Sequence, residues 1–113
     1  MSSRAQRGKA GEDAAAAYLE SLGFRILRRN LRGPGGEIDI VAREGSTLVF
    51  VEVKARQTAS FGGAIAAVDW RKRRRIRSLA ADFLQFMEDK PKVRFDVLAI
   101  DGATMKLHRA AFA

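Results

Sequence analysis

Two stretches of this chain place apolar residues at helical spacing, and five others carry the short apolar runs or alternation of strands. EDAAAAYLESL at 12–22 is rich in helix formers, with Ala15, Tyr18, Leu19 and Leu22 on one stripe. Glu12 and Asp13 suit its first turn, where negative side chains meet the positive end of the helix dipole. Gly23 suits the C-cap. A second helix is expected over 70–88, capped by Asp69 and stopped by Pro91. Ile76, Leu79, Ala80, Phe83, Leu84 and Met87 would form its core face.

FRIL at 24–27 reads as the first strand and RRNLRGPGG at 28–36 as a basic, glycine-rich loop. EIDIVAR and TLVFVEVKAR read as a hairpin with Gly45 and Ser46 at its tip. QTASFGG at 57–63 is a loop, and AIAAV at 64–68 is either a short helical piece or packed loop. VRFDVLAI at 93–100 is a strand, followed by a turn at Asp101 and Gly102 and a last strand near 104–109. The order predicts an α/β fold, a central mixed β-sheet flanked by helices. One domain is expected over 11–113, preceded by a flexible basic arm at 1–10.

Charge narrows the class of partner. There are 21 Lys and Arg against 13 Asp and Glu, a formal charge of +8, which favours polyanions. The absence of cysteine removes disulfides and thiolate metal sites. No run has the length of a membrane span, and the first residues lack the apolar stretch of a secretory signal. The expected compartment is the cytoplasm or nucleoid, with no membrane partner.

Against this background GEIDIV at 36–41 and VFVEVKAR at 49–56 stand out, because they set charges inside apolar strands. Alternation puts Val49, Val51 and Val53 on one face and Glu52 and Lys54 on the other. On the preceding strand Ile38 and Ile40 share a face, opposite Glu37, Asp39 and Val41. The tight turn places Asp39 across from Glu52 and Glu37 across from Lys54, with directly opposed Cβ atoms about 4.5–5.5 Å apart. Two carboxylates that close need a counter-charge. Lys54 supplies part of it, and a divalent ion with hard oxygen ligands, Mg²⁺ or Mn²⁺, would supply more. A bare E-x-K in a strand is usually an exposed ion pair; the spacing to Asp39, the apolar flanks and the basic surroundings favour a hydrolytic site.

These motifs, with GEDAAAAYLESLGFRILRRN, FGGAIAAV and RFDVLAI, resemble the YraN-like family of small bacterial proteins. That family is placed with the restriction-endonuclease-like fold and is similar to archaeal Holliday junction resolvases. The resemblance implies that Asp39 and Glu52 bind metal, that Glu12 supports the ion or its water shell, and that Lys54 assists attack. The carbonyl of Val53 would add a ligand. The superfamily's proline before the aspartate is Ile38 here. Glu37 reads as a pairing or solubilising residue, and Asp96 as a structural partner of an arginine.

WRKRRRIR at 70–77 holds six basic residues in eight. Arg71 and Arg75, four apart, repel along the helix, a cost that an acidic partner would offset. Arg71, Lys72, Arg73, Arg74, Arg75 and Arg77 are therefore expected to contact nucleic-acid phosphates. Arg28, Arg29 and Arg32 would form a second patch, and Arg56 would contact a flanking phosphate. A lone tryptophan such as Trp70 is more often packed on a sheet than stacked on a base. His108 is expected as a hydrogen-bonded edge residue. The leading expectation is a metal-dependent endonuclease acting on DNA, with RNA ranked lower; the resemblance to junction resolvases implies branched or distorted DNA as substrate and a homodimer. The alternative is a non-catalytic nucleic-acid-binding or scaffolding protein with the same fold.

Overall fold

The hairpin signal at Gly45 and Ser46 organises the sheet. In the computed structural model, which describes residues 4–56 and 62–113 (the side chains of 4–10, Arg56 and Gly62 aside), Glu44 pairs with Thr47 across that turn. Gly45 takes φ 61°, the left-handed conformation a two-residue hairpin needs at no steric cost to glycine. The elements are α1 (Arg4–Ser21), β1 (Arg25–Gly33), β2 (Gly36–Glu44), β3 (Thr47–Arg56), α2 (Gly62–Ala66), α3 (Trp70–Leu84), β4 (Lys92–Asp101) and β5 (Thr104–Phe112). The expected loop at 57–63 lies mostly outside the described residues.

The five strands lie in the order β1-β2-β3-β4-β5, antiparallel except for β3 and β4. A parallel pair cannot be joined by a hairpin; α2 and α3 supply its crossover. Ala15, Leu19, Ile40, Val49, Val51 and Leu98 form a buried cluster on the α1 side. Ile38, Val41, Phe50, Val68, Ile76, Leu79 and Val97 form the other, beneath α2 and α3. Stacked rings join β3, β4 and β5 there, Phe50 to Phe95 at 5.7 Å and Phe95 to Phe112 at 5.1 Å, each pair contributing about 1 kcal/mol beyond burial. This sandwich of helices on both faces of a mixed sheet is a single α/β domain consistent with a restriction-endonuclease-like fold.

Several boundaries differ from the sequence reading. α1 begins at Arg4, inside the stretch taken as a basic arm, since Ala, Gln, Arg and Lys are good helix formers. Its stripe holds at Ala15 and Leu19, while Leu22, past the helix end, is exposed. Gly23 has φ 94° as a C-cap should. β1 runs to Gly33 rather than stopping at Leu27, with the basic residues 28–33 alternating along a sheet edge. AIAAV overlaps a short helix, and Ala64 and Val68 are fully buried. α3 is capped by the Asp69 carboxylate, which accepts from Lys72 N at 3.0 Å, but ends at Leu84. Beyond it the Phe86 and Met87 N–H groups bond three residues back, a tighter turn than the expected helix to 88.

Asp96 is fully buried and structural. Arg94 donates to it from Nε (2.8 Å) and Nη2 (2.9 Å), and Ala110 N donates at 2.9 Å. Glu44 joins through Arg94 Nη2 and through Arg109, whose hydrogen bonds hold the Glu44 carboxyl down at a pKa of about 2. Removing Arg94 would leave the fully buried Asp96 without a counter-charge, with only the Ala110 N–H donating to it. Arg94→Ala is expected to cost about 3–5 kcal/mol in urea unfolding, whereas Arg109→Ala, at the exposed end of the network, costs under about 1 kcal/mol.

Candidate active site

The site forms where one ladder stops. β2 and β3 pair from Glu44↔Thr47 to Ile40↔Val51 and no further. Instead of sitting in a ladder pair with Glu52, Asp39 turns its Oδ2 onto the backbone N–H of Val53 at 2.8 Å. Below this point β2 pairs with β1 (Leu31↔Ile38, Arg32↔Glu37), and β3 pairs with β4 (Glu52↔Val97, Lys54↔Ala99). The expected Glu37–Lys54 pair is therefore not made: Glu37 meets Arg32 Nε at 3.2 Å. The strand also switches sides at Asp39. Ile38 joins the α3-side core and Ile40 the α1-side core, contrary to the shared face that strict alternation gives. On β1, Asn30 lies between the partners of these two isoleucines with φ 54°, so both strands are irregular at this level.

A cleft of about 280 Å³ opens there, lined by Glu37, Asp39, Glu52, Lys72, Arg75 and the turn glycines Gly35 and Gly36. Asp39 and Glu52 are buried, 9% and 4% exposed. Glu12, Glu37 and Asp39 each bring a carboxylate oxygen within 4.8 Å of the other two. Glu12 comes from α1, where Arg29 of β1 holds Asp13 at 2.7 Å and Glu12 at 3.9 Å. Glu52 stands apart from that trio. Its Oε1 takes Lys72 Nζ at 2.5 Å and Lys54 Nζ at 3.8 Å, while its Oε2 is buried with no hydrogen-bond partner.

The electrostatics follow from this crowding. Burial, then the charge of Glu52, pushes the Asp39 carboxyl up to about 7 against the opposing pull of the Val53 N–H. Lys54 is lowered by burial and by Lys72. Burial also acts to lower Lys72, but its hydrogen bond to Glu52 and the neighbouring carboxylates outweigh it, and its pKa is raised. All the acceptors are oxygens, and one is a buried orphan, so the residues present fit a hard divalent cation.

Two participants were not foreseen in these roles. Glu37 was legible only as the residue two before Asp39 on a strand. Lys72 was read as a surface phosphate contact, yet it sits on Glu52, because the Asp69 cap fixes the first turn of α3 over the sheet. Other basic candidates are partly engaged. Arg29 binds the α1 carboxylates; Arg73 donates to the carbonyls of Val68 (2.7 Å) and Ile65 (3.4 Å) and lies over the Phe112 ring. Arg77 donates to the Ala113 carbonyl at 2.9 Å. Arg28 and Arg32 are exposed on β1 and Arg71, Arg74 and Arg75 on α3, where Arg75 lines the cleft. The side chain of Arg56 lies outside the described residues. Trp70 is 63% exposed, with the Arg71 guanidinium 5.0 Å from its ring, and is not packed on the sheet. His108 lies on the edge strand β5 as expected, but its Nε2 is buried without the hydrogen bond expected of it. Among the described residues no helix is long and apolar enough to cross a membrane.

Comparison with known proteins agrees with the architecture. The family model described as "Uncharacterised protein family UPF0102" matches residues 11–100. A UPF0102 protein of Ralstonia pickettii (strain 12J) is 50% identical over 113 residues, covering 96% of this chain and 90% of its own. One of Geobacter sulfurreducens is 55% identical over 95 residues, 82% of this chain and 73% of its own, and one of Moorella thermoacetica is 50% identical over 98 residues, 86% and 82%. With a family model spanning most of the domain and relatives this similar along nearly all of it, the chain belongs to the UPF0102, or YraN, family.

Proposed function

We propose that this protein is a Mg²⁺- or Mn²⁺-dependent endonuclease that hydrolyses phosphodiester bonds in DNA. The observation that carries the reading is the unpaired, buried Oε2 of Glu52 in the same cleft as Asp39, with two lysines at hand. An exposed ion pair would leave no such orphan, and an unmade buried hydrogen bond costs about 1–3 kcal/mol or more for a charged group. Asp39 and Glu52 would hold the cation, with Glu12 and Glu37 supporting it or its water shell. The Val53 carbonyl suits a further ligand, because a strand residue presents its N–H and C=O on one edge and the Val53 N–H already faces Asp39.

When bound, the cation would polarise the scissile phosphate and lower the pKa of a water. Lys54, its pKa lowered by burial and Lys72, would orient the attacking water and offset the negative charge that builds as the water oxygen bonds to phosphorus and the P–O bond to the leaving oxygen breaks. Lys72 keeps one Glu52 oxygen engaged, leaving the other directed to the cation. Arg75 lines the cleft, and with the exposed Arg71 and Arg74 of the same helix suits the flanking phosphates. The wide polyanion needed to meet that surface favours DNA over a small phosphoester, and the resemblance to junction resolvases implies branched or distorted duplexes rather than a specific recognition sequence. The Lys72–Glu52 ion pair, made through Oε1 without a cation, is what favours the second reading, a nucleic-acid scaffold on a nuclease fold.

Purified protein with Mn²⁺ is expected to nick branched DNA. Asp39→Asn, Glu52→Gln and Lys54→Ala should each reduce the single-turnover rate by about 10²-fold or more while retaining DNA binding in chelator. Unchanged rates in all three would remove this site assignment; binding of every DNA tested with no cleavage by wild type would favour the scaffold.

The raised Asp39 pKa has a thermodynamic counterpart. The folded state keeps that proton to about pH 7 while the unfolded chain loses it near 3.8, so stability falls as pH rises between these values. Asp39→Asn is expected to melt on the order of 5 °C above wild type at pH 8, with the gap closing near pH 4. Mn²⁺ should raise the wild-type melting temperature at pH 8 and leave that of the variant nearly unmoved. A constant gap at both pH values would contradict the assignment.

A further inference from the structure

A second concavity adjoins the carboxylate cleft along α3. It measures about 470 Å³, in the range of small-molecule sites, about 300–1,000 Å³. Its floor is apolar: Leu79, Phe83 and Met87 meet Leu31 and the Gly33–Pro34 turn. Phe86 stands at its edge, 88% exposed, in the tight turn that ends α3. A phenylalanine left in water there gives up the stabilising burial that Ile76, Leu79 and Ala80 of α3 obtain. No element of the fold covers it among the described residues.

Charge decides among occupants. Arg28 and Arg32 line the β1 side, and Asp82 lines the helix side. A second copy of a chain with formal charge +8 would bring like charge against those arginines. A phosphate suits the arginines but not Asp82. A nucleotide satisfies both: its phosphate meets the guanidinium groups, its base stacks on an aromatic ring, and its ring or exocyclic N–H groups donate to the Asp82 carboxylate.

Position ties the groove to the cleft. The same turn walls both, with Gly33 and Pro34 on the groove and Gly35 and Gly36 on the cleft. Arg32 lines the groove while its Nε donates to Glu37, a member of the carboxylate trio. From Ile76 in the cleft to Phe83 in the groove α3 advances about 10 Å, the rise of roughly three nucleotides along a duplex strand and within reach of fewer in an unstacked one.

We propose that this groove receives an unpaired base of the DNA strand whose backbone lies in the carboxylate cleft, making junctions between duplex and single strand the substrate class. The inference rests on the nuclease reading for its ligand, but the groove is tested by binding alone. Wild type and Phe86 variants are titrated in chelator against a short blunt duplex. They are also titrated against the same duplex bearing a single-stranded extension of about five nucleotides with the fluorescent adenine analogue 2-aminopurine. Wild type should bind the extended probe about tenfold more tightly and quench the analogue. Phe86→Ala should lose both the preference and the quenching with its duplex affinity and melting temperature unchanged, and Phe86→Trp should keep both. Equal affinity of wild type for the two probes would overturn the proposal. So would Phe86→Ala weakening both probes alike, or sedimentation showing a wild-type dimer that Phe86→Ala dissociates. Selective binding without cleavage defeats the nuclease reading and spares the groove; cleavage without selectivity does the reverse.

Discussion

Everything at the candidate site depends on the hydrogen bond from the Val53 N–H to Asp39 Oδ2. In an uninterrupted hairpin that N–H would belong to the sheet. Here the side chain of the opposing strand takes it, the ladder ends at Ile40↔Val51, and the two strands are free to follow different neighbours. β2 continues against β1, and β3 against β4. The divergence makes room for a cleft in the middle of the sheet without leaving the Val53 donor unpaired. It also holds Asp39 beside Glu52 in a buried setting, which is why its carboxyl resists ionisation.

The basic run of α3 is divided by this arrangement. Helical geometry separates residues 72 and 73 by about 100°, so Lys72 enters the cleft while Arg73 is drawn under the helix to the Val68 and Ile65 carbonyls. Arg77 reaches the end of the chain. What remains exposed is a narrower stripe than the sequence count of six suggests. Repulsion within the run is offset locally, by Glu52 for one cation and by carbonyl dipoles for two others. The exposed cationic surface of α3 is thus what remains of charges the fold has not consumed.

Much of the sheet and part of the site were legible in the residues. Glycine followed by serine between two alternating runs fixes a two-residue turn, and that turn dictates which positions of β2 and β3 oppose each other as far as Ile40 and Val51. Asp69 before an apolar-periodic run marks the α3 cap. Periodicity does not reveal where a side chain will intercept the backbone, so the end of the ladder, the opposite facing of Ile38 and Ile40, and the inclusion of Glu37 were hidden. The strand character of residues 28–33 was masked by arginines and glycines, which favour loops on average but tolerate a sheet edge. Glu12 could be placed in the site only by family resemblance, because its approach depends on how α1 docks through Arg29.

Two aspartates in this fold perform the same local act with opposite consequences. Each accepts from a backbone N–H fourteen residues away at an irregular point of pairing, Asp39 from Val53 and Asp96 from Ala110. Around Asp96 the remaining acceptor capacity is met by Arg94, and a fully buried charge becomes part of the framework. Around Asp39 the neighbour is another buried carboxylate, and one oxygen of that neighbour is left with no donor. The same sheet can evidently build a satisfied carboxylate, since Asp96 pairs in register with Val51, the residue before Glu52. The fold satisfies one buried acid and leaves an oxygen of the adjacent pair without a donor, the place that the proposed cation would fill. This separates a site from a structural ion pair more sharply than the count of acidic residues does.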